Sequence, residues 1–340
     1  MNEAKARPSV QDVARLAGVS LGTVSNVLNN PDRVTPSTLS KVTRAIEQLG
    51  FVRNDAARQL KAGRSKTIGL VVPDVSNPFF GELSKGAEDT AADHGYAVIL
   101  GNSANIQTRE AGYLALFEEQ RVGGIVISPL EDVTEAVLRL RERGTPSVLV
   151  DRKADPAVAC SVSVDDIAGG RLAVEHLISK KSKRIAFVGG PMEFQQVADR
   201  YAGAQEAVVA AGGGVSLERI VTADLTVIAG RTVGEEIANR AAKDRPDGIF
   251  CANDLLAVGI MQALVFHSRV SIPQDIALVG YDDISFAPAA IVPLTSIRQP
   301  EVELGDRAIQ LLLEEIDGGD HQHQQLTFQP VLVVRDSTSR

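Results

Sequence analysis

Ser9 to Asn29 reads SVQDVARLAGVSLGTVSNVLN, two short amphipathic helices joined by the tight turn Gly18-Val19-Ser20. Ser9 is placed to cap the first helix, with Asp12 three residues on, the reciprocal spacing of a capping box. Val10, Val13, Ala14 and Ala17 recur at helical spacing and form its apolar face. Gly18 suits the left-handed conformation that ends a helix, and Ser20 caps the next one. Val24, Val27 and Leu28 supply the inner face of the second helix. Its outer face carries Leu21, Gly22, Ser25, Asn26 and Asn29, none of them acidic. Two helices, a tight turn and an acid-free second helix describe a helix-turn-helix that enters a DNA major groove. The competing reading is an ordinary helical hairpin.

Charge separates this segment from the rest of the chain. Residues 1–66 carry 11 Lys and Arg against 5 Asp and Glu, a net of +6. The remaining 274 residues carry 24 against 38, a net of −14. A global charge of −8 therefore hides a basic head on an acidic body. Phosphate contact needs local positive charge, and an acidic body repels the duplex and helps to orient the head. A charge run is ordinarily a solvated face, but here it coincides with the motif.

Outward from the motif, Thr35-Pro36 reads as a cap followed by proline at the first helical position, where its missing N–H costs nothing. Leu39, Val42, Ile46 and Leu49 mark a third helix closed by Gly50, with Phe51 just beyond. Then comes a stretch from Arg53 to Ser65 with Asn54 as a cap and Gly63 as a stop. Helices shorter than roughly 12–15 residues are marginal alone in water. This stretch is either a plain linker or a hinge helix that orders only against a partner. In the second reading it docks in a minor groove and wedges Leu60 between base steps.

Head, hinge and body together resemble the LacI/GalR family of ligand-controlled bacterial transcription regulators. The resemblance rests on Asp12-Val13-Ala14 with Ala17-Gly18-Val19-Ser20, and on Thr23 through Asn29. It continues through Asn54 to Leu60, Ile68-Gly69-Leu70-Val71-Val72-Pro73-Asp74 and Asn77-Pro78-Phe79-Phe80. Its C-terminal part is Asn253-Asp254, Gly280-Tyr281-Asp282-Asp283 and Pro293 through Pro300. These matches run in the family's order along nearly the whole chain.

The body supports the same architecture independently. From Lys66 onward, β-branched runs alternate with helical patterns, the signature of parallel α/β structure. The runs predict strands at 67–72, 97–101, 124–127, 148–150, 161–164, 184–188, 248–252 and 276–280. Helical patterns such as 81–93, 171–178, 255–266 and 302–315 lie between them. So long a run of βα units predicts two lobes. The resemblance implies an all-α helix-turn-helix head (1–52), a hinge (53–66) and an effector-binding and dimerisation domain (67–340). That domain would hold two periplasmic-binding-protein-like, Rossmann-like parallel-sheet lobes. Three crossings are placed near Asp165, Pro293–Thr295 and Pro330, so that one lobe takes 67–164 and 297–328, and the other 165–294 and 329–340.

In open parallel sheets, ligands meet the carboxyl ends of the strands. Polar residues recur there: Asp74, Asn102, Ser128, Asp151, Asp165, Asn253, Asp254 and Asp282. Each alone is more often a loop or capping residue, but together they argue for a cleft between lobes. The resemblance implies Asp151, Arg200, Asn253, Asp282 and Gln299 as effector contacts. Asp74 is added as a strand-end residue, and Phe79 and Phe80 as an aromatic wall. Asp and Asn serve hydroxyls, and Arg200 brings a fixed fork of donors. Leu225 stands where the family often has an aromatic stacking residue. On the DNA side, the resemblance gives Ser20, Thr23, Ser25, Asn29 and Arg33 backbone-contact roles, which set register without reading sequence. Leu21, Gly22 and Asn26 take base-reading positions. Asn54, Ala57 and Leu60 belong to the hinge contacts. Gly22 offers no side chain, so one head reads sparsely and binds weakly. Two heads on a homodimer at a near-palindromic operator restore affinity.

Enzymatic activity is not expected. Gly18-Val19-Ser20-Leu21-Gly22 has the G-x-S-x-G spacing of serine hydrolases but lies between two helices, not after a strand. No Walker loop, H-E-x-x-H or strand-linked Gly-x-Gly-x-x-Gly is present, so no cofactor is implied. His321-Gln322-His323 falls in a polar loop and is read as solvated, not as a metal site. Cys160 and Cys251 fit reduced, buried thiols. No signal peptide or membrane-spanning run is seen, which predicts a cytoplasmic protein. The absence of a leucine-heptad extension after Arg335 predicts a dimer. A sugar-transport receptor would account for the lobes but not for the basic head. The expected effector is a carbohydrate, although Arg200 with Asp282 suits a nucleobase as well. Arg152 and Lys153 beside Asp151 are too little to imply a sugar phosphate.

Overall fold

The structure, a computed structural model, describes residues 8–51, 65–268, 270–318 and 321–339. The chain forms two compact units, Met1–Arg64 and Ser65–Arg340.

In the first unit, α1 (Val10–Ala17), α2 (Leu21–Asn29) and α3 (Pro36–Leu49) surround a core of Val13, Ala14, Val24, Val27, Val42, Ala45 and Phe51. The capping box forms as its spacing predicts. Ser9 Oγ accepts the Asp12 N–H at 3.3 Å, and Asp12 Oδ2 accepts the Ser9 N–H at 2.9 Å. Gly18 and Gly50 end α1 and α3 with φ of 65° and 60°, the left-handed region that glycine enters without strain. Helix starts depart from expectation in detail. Val10 is 37% exposed, because the first turn of α1 projects past the core. Thr35 is the N-cap of α3 with Pro36 after it, as expected, its carbonyl accepting the Leu39 N–H at 3.0 Å, but its hydroxyl donates to Thr38 Oγ1 and not to the helix backbone.

The second unit begins with β1 (Thr67–Val72), α4 (Pro78–Asp93), β2 (Ala97–Asn102), α5 (Gln107–Glu119), β3 (Gly124–Ile127), α6 (Thr134–Glu142), β4 (Ser147–Val150) and β5 (Cys160–Val164). It continues with α7 (Asp166–Ser179), β6 (Arg184–Val188), α8 (Gln195–Ala210), β7 (Ser216–Ile220), α9 (Val227–Asn239), β8 (Gly248–Cys251), α10 (Asp254–His267), β9 (Ala277–Asp282) and β10 (Thr295–Arg298). It closes with α11 (Glu301–Asp317), β11 (Gln325–Phe328) and β12 (Val331–Val333). One sheet has the order β11-β5-β4-β3-β1-β2, all parallel; the other is β12-β10-β9-β8-β6-β7, parallel except for β12. Buried apolar side chains line both sheets, as βα crossovers require.

The chain passes between sheets after β5, after β10 and between β11 and β12. The middle passage differs from the expected Pro293–Thr295. Thr295–Arg298 pairs in parallel with β9, Ile297 opposite Tyr281, so Ile297 belongs to the second sheet. The chain returns only at Gln299–Pro300, where α11 begins. A four-residue strand between prolines carries too short an apolar run to be distinguished from a crossover by pattern.

Candidate functional sites

The head presents a polar outer face on α2. Leu21 is 50% exposed, and Gly22, Asn26 and Asn29 are also at the surface. Thr23 and Ser25 are half-buried, and Arg33 is exposed. Ser20 acts first as a cap, its Oγ accepting the Thr23 N–H at 3.1 Å. Asn29 Nδ2 donates to the Ser25 carbonyl at 2.8 Å, which holds its amide along the helix. A Cβ added at Gly22 would meet only Ser20 Oγ, at 3.7 Å. The head's own packing therefore does not call for glycine there. Asn54, Ala57 and Leu60 lie outside the described residues.

In the second unit a cleft of about 710 Å³, mouth included, opens between the two sheets at the carboxyl ends of their parallel strands. Asp74, Phe79, Phe80, Asp151, Arg200, Asn253, Asp282 and Gln299 all line it. Sequence reasoning brought these together from loops, strand ends and two helices. Asn102, Ser128, Asp165 and Asp254 do not line it. Asp254 instead braces the turn after β9, accepting from Ser296 Oγ at 2.6 Å and the Ile284 N–H at 2.9 Å.

The polar wall is a buried cluster around Arg200. Its Nε donates to Asp166 Oδ1 at 2.8 Å, and its Nη1 donates to the Ala252 carbonyl at 2.7 Å. Nη1 also lies 3.9 Å from Asp282 Oδ1, and the guanidinium sits 3.7 Å from the Tyr281 ring centroid. Close helix packing makes this possible. A Cβ at Gly170 would fall 1.9 Å from the Arg200 carbonyl oxygen, and one at Gly203 1.9 Å from that of Ile167. Glycines at both crossing points let α7 and α8 touch backbone to backbone, which sets Asp166 against Arg200.

Asp151 and Asp282 adopt φ of 61° and 99°, rare for side chains with a Cβ and a form of strain that collects at functional sites. Gln196 Nε2 donates to Asp151 Oδ2 at 3.0 Å and to the Asp151 carbonyl at 2.7 Å, joining the lobes. Asn77 Nδ2 donates to Asp282 Oδ2 at 3.4 Å, again across the cleft. Gln299 Nε2 donates to Asp282 Oδ1 at 2.8 Å. Two buried acceptors, Asp151 Oδ1 and Gln299 Oε1, have no hydrogen-bond partner among the described residues. Burial, reinforced by Asp166 and opposed by Arg200, pushes the Asp151 carboxyl up to about 8. Burial also lifts Asp282, to about 6, against the pull of Arg200. Burial disfavours the charge on Arg200, but Asp166 and its other neighbours outweigh it and raise its pKa above the ordinary value.

Asn253 is committed to structure: its Oδ1 caps α10 through the Leu256 N–H at 3.0 Å, and its Nδ2 donates to the Leu225 carbonyl at 3.0 Å. Asp74 Oδ1 likewise holds Ser76 in a turn, through its N–H at 2.9 Å and its hydroxyl at 2.7 Å. Sequence reasoning missed Asn105, Phe194, Gln196 and Thr226 as cleft residues, and left Asn77 as a motif residue without a site role. Phe194 supplies an aromatic ring in the same wall as Leu225.

Two family profiles match the chain. "Bacterial regulatory proteins, lacI family" covers residues 9–54 and "Periplasmic binding protein-like domain" covers 174–338. The ribose operon repressor of Escherichia coli is 34% identical over 330 residues, covering 97% of this chain and 99% of that protein. The chain belongs to the lacI family of bacterial regulatory proteins.

The HTH-type transcriptional repressor PurR of Photobacterium profundum is 33% identical over 333 residues, covering 97% of this chain and 98% of that protein. The structure of the lac repressor dimer bound to operator and the anti-inducer ONPF superposes with a TM-score of 0.83 at 27% identity. It covers 98% of this chain and 99% of that one. A lacI-family regulator from Enterococcus faecium with bound ribose reaches 0.72 at 30% identity, covering 80% of this chain and 98% of that one. These relatives are transcriptional regulators, not enzymes. This lacI-family chain accordingly carries the DNA-binding helix-turn-helix and the two-lobed parallel-sheet core that its sequence predicts. Among the described residues no helix is long and apolar enough to cross a membrane.

Proposed function

We propose that this lacI-family regulator is a cytoplasmic repressor whose homodimer holds a near-palindromic operator, and whose operator affinity is set by a neutral, pentose-sized sugar in the cleft. On DNA, Leu21, Gly22 and Asn26 face base edges, while Thr23, Ser25, Asn29 and Arg33 meet phosphates and Ser20 orders the helix start. Asn54, Ala57 and Leu60 contribute the minor-groove contacts of the hinge.

The observation that carries the sugar reading is the pair of buried polar atoms without partners, Asp151 Oδ1, which carries the proton of a carboxyl pushed up to about 8, and the acceptor Gln299 Oε1. They share the cleft with the donor fork of Arg200 and three phenylalanine rings, Phe79, Phe80 and Phe194. A polyol hydroxyl both accepts and donates, so it can pair with the Asp151 carboxyl and with Gln299 Oε1, and its C–H faces pack on the rings. Asp74 and Asp282 carry negative charge in the cleft, and Arg200, its one cation among the described residues, is already held by Asp166, which together oppose a sugar phosphate. The ribose found in the Enterococcus faecium relative and the name of the Escherichia coli repressor support the pentose size.

Calorimetric titration of the full chain with ribose, xylulose, cellobiose, ribose 5-phosphate and hypoxanthine tests this. One pentose is expected to bind with at least tenfold preference over its phosphate, and to shift affinity for an operator found by selection from random duplexes. Operator binding should weaken steeply with salt. Binding of hypoxanthine in place of every sugar would overturn the effector class and leave the DNA reading standing. Failure to select any duplex would overturn the DNA reading.

A further inference from the structure

The strongest feature outside the cleft lies at the opposite end of the first sheet. Cys160 opens β5, whose carboxyl end, Val164, is the end nearer the cleft. His321 and His323 lead into β11, which pairs with β5 with Gln325 opposite Ser161. Glu314 and Glu315 sit in the last turn of α11. Strand pairing thus brings together Cys160 and His321, 161 positions apart.

Cys160 Sγ lies 3.1 Å from His321 Nε2 and accepts the Gln324 N–H at 3.2 Å. Glu315 Oε1 lies 3.8 Å from His321 Nε2 and 3.9 Å from His323 Nε2. One sulfur, one carboxylate oxygen and one imidazole nitrogen, from Cys160, Glu315 and His321, fall within 4.8 Å of one another. The Glu315 side chain is only 10% exposed, and its Oε1 is buried with no hydrogen-bond partner among the described residues. The neighbouring Cys160 thiol is the donor within reach of this carboxylate, and a thiol is a weak donor, so burying the carboxylate stays costly.

The neighbouring imidazoles do not relieve it. His323 Nδ1 is 2.8 Å from the Pro156 carbonyl and donates to it, so in the neutral ring Nε2 carries a lone pair. Two acceptors then face each other across 3.9 Å. His321 is arranged similarly, Nδ1 3.6 Å from Glu314 Oε2 and Nε2 against the sulfur. A carboxylate behind one imidazole nitrogen with the other left open is how histidines are oriented toward metals.

We propose that Cys160, Glu315 and His321, with His323 as the fourth ligand, bind a borderline divalent transition metal, Zn²⁺ being the best fit. Zinc bonds of about 2.0–2.3 Å in a tetrahedron place ligand atoms roughly 3.3–3.8 Å apart; Cys160, Glu315 and His321 lie within 4.8 Å of one another, and His323, 3.9 Å from Glu315 Oε1 with its ring centroid 6.3 Å from that of His321, must turn inward to complete the set. Mixed sulfur, nitrogen and oxygen donors exclude Ca²⁺ and Mg²⁺, which take oxygen shells. The ion would staple the chain returning from α11 onto β5, at the end of the sheet away from the effector. The competing occupant is a proton on one imidazole, giving a histidine–glutamate ion pair and no metal.

Titration of the chelator-stripped full chain with Co²⁺ distinguishes them. One equivalent is expected to bind with a near-ultraviolet sulfur-to-cobalt charge-transfer band, and Zn²⁺ should displace it. Cys160→Ser should lose the band. His321→Ala should weaken Co²⁺ binding at least tenfold and abolish the rise in thermal midpoint that Zn²⁺ gives the wild type. His321 lies in the loop before β11 with its side chain 13% exposed, so this variant removes no strand residue and keeps the test open if the buried Cys160→Ser does not fold. No charge-transfer band in the wild type, or unchanged stoichiometry and affinity in His321→Ala, would overturn the site.

Discussion

The head and the cleft solve opposite problems. In the head, helix ends are closed by near neighbours: Ser9 by Asp12, Ser20 by Thr23, and Phe51 N–H by the Ile46 carbonyl at 3.0 Å. Its buried residues are apolar, so nothing charged has to be compensated at a distance. In the cleft, Asp151, Asp166, Arg200 and Asp282 arrive from four elements and are all buried. Each is tolerable only because the others are present. The head is stabilised by local rules, and the cleft by a network that exists only once both sheets are formed.

The largest expected effect breaks the network. Arg200→Met leaves Asp166, Asp151 and Asp282 buried without their cation, and should cost the second unit about 3–5 kcal/mol. Urea unfolding followed by circular dichroism measures this; a loss below about 1 kcal/mol would mean that the carboxylates do not need the arginine.

Asp151 gives a subtler test. It titrates at about 8 in the folded protein and near 3.9 when unfolded. The folded state therefore holds an extra proton between those values. The stability this group contributes is complete below about pH 4 and is lost as pH rises through 8. Asp151→Asn should flatten that decline and make the empty protein more stable than the wild type at pH 8, as read by thermal unfolding across pH. An unchanged slope would place the proton elsewhere.

The smallest effects lie in the head. Ser9→Ala should cost about 1 kcal/mol through loss of the cap. Gly22→Ala should add about 1 kcal/mol of helix stability, since its Cβ meets only Ser20 Oγ at 3.7 Å, while weakening operator binding. Amide exchange of head residues reads the first quantity and duplex binding the second. Operator affinity unchanged in Gly22→Ala would show that this position does not face the bases.

Legibility in the sequence follows the same division. Helix starts and stops in the head, and the apolar central strands such as Thr67–Val72 and Arg184–Val188, follow from patterns within a few residues. Ser216–Ile220 was missed because an exposed edge strand reading SLERI has no apolar run. Thr295–Arg298 was placed at a crossing because its prolines look like an ending, whereas its pairing with β9 keeps it in the sheet. Gln196 gave no signal, because a polar residue in the first turn of a helix is ordinarily a surface residue, and Phe194, the N-cap position before it, belongs to no apolar pattern. Only the approach of that helix to Asp151 makes Gln196 a bridge between lobes.

Residue order alone thus accounts for the head, for the alternation of strands and helices, and for the polar strand ends that announce a cleft. These depend on spacing, capping and burial pattern, all short-range. Folding in three dimensions decided which strand ends face the ligand, how far Asp151 and Asp282 are pushed from ordinary carboxylates, and that a polar His-Gln-His loop meets a buried cysteine. Burial and charge proximity act between residues as far apart as Asn77 and Asp282, 205 positions, and no local pattern encodes them.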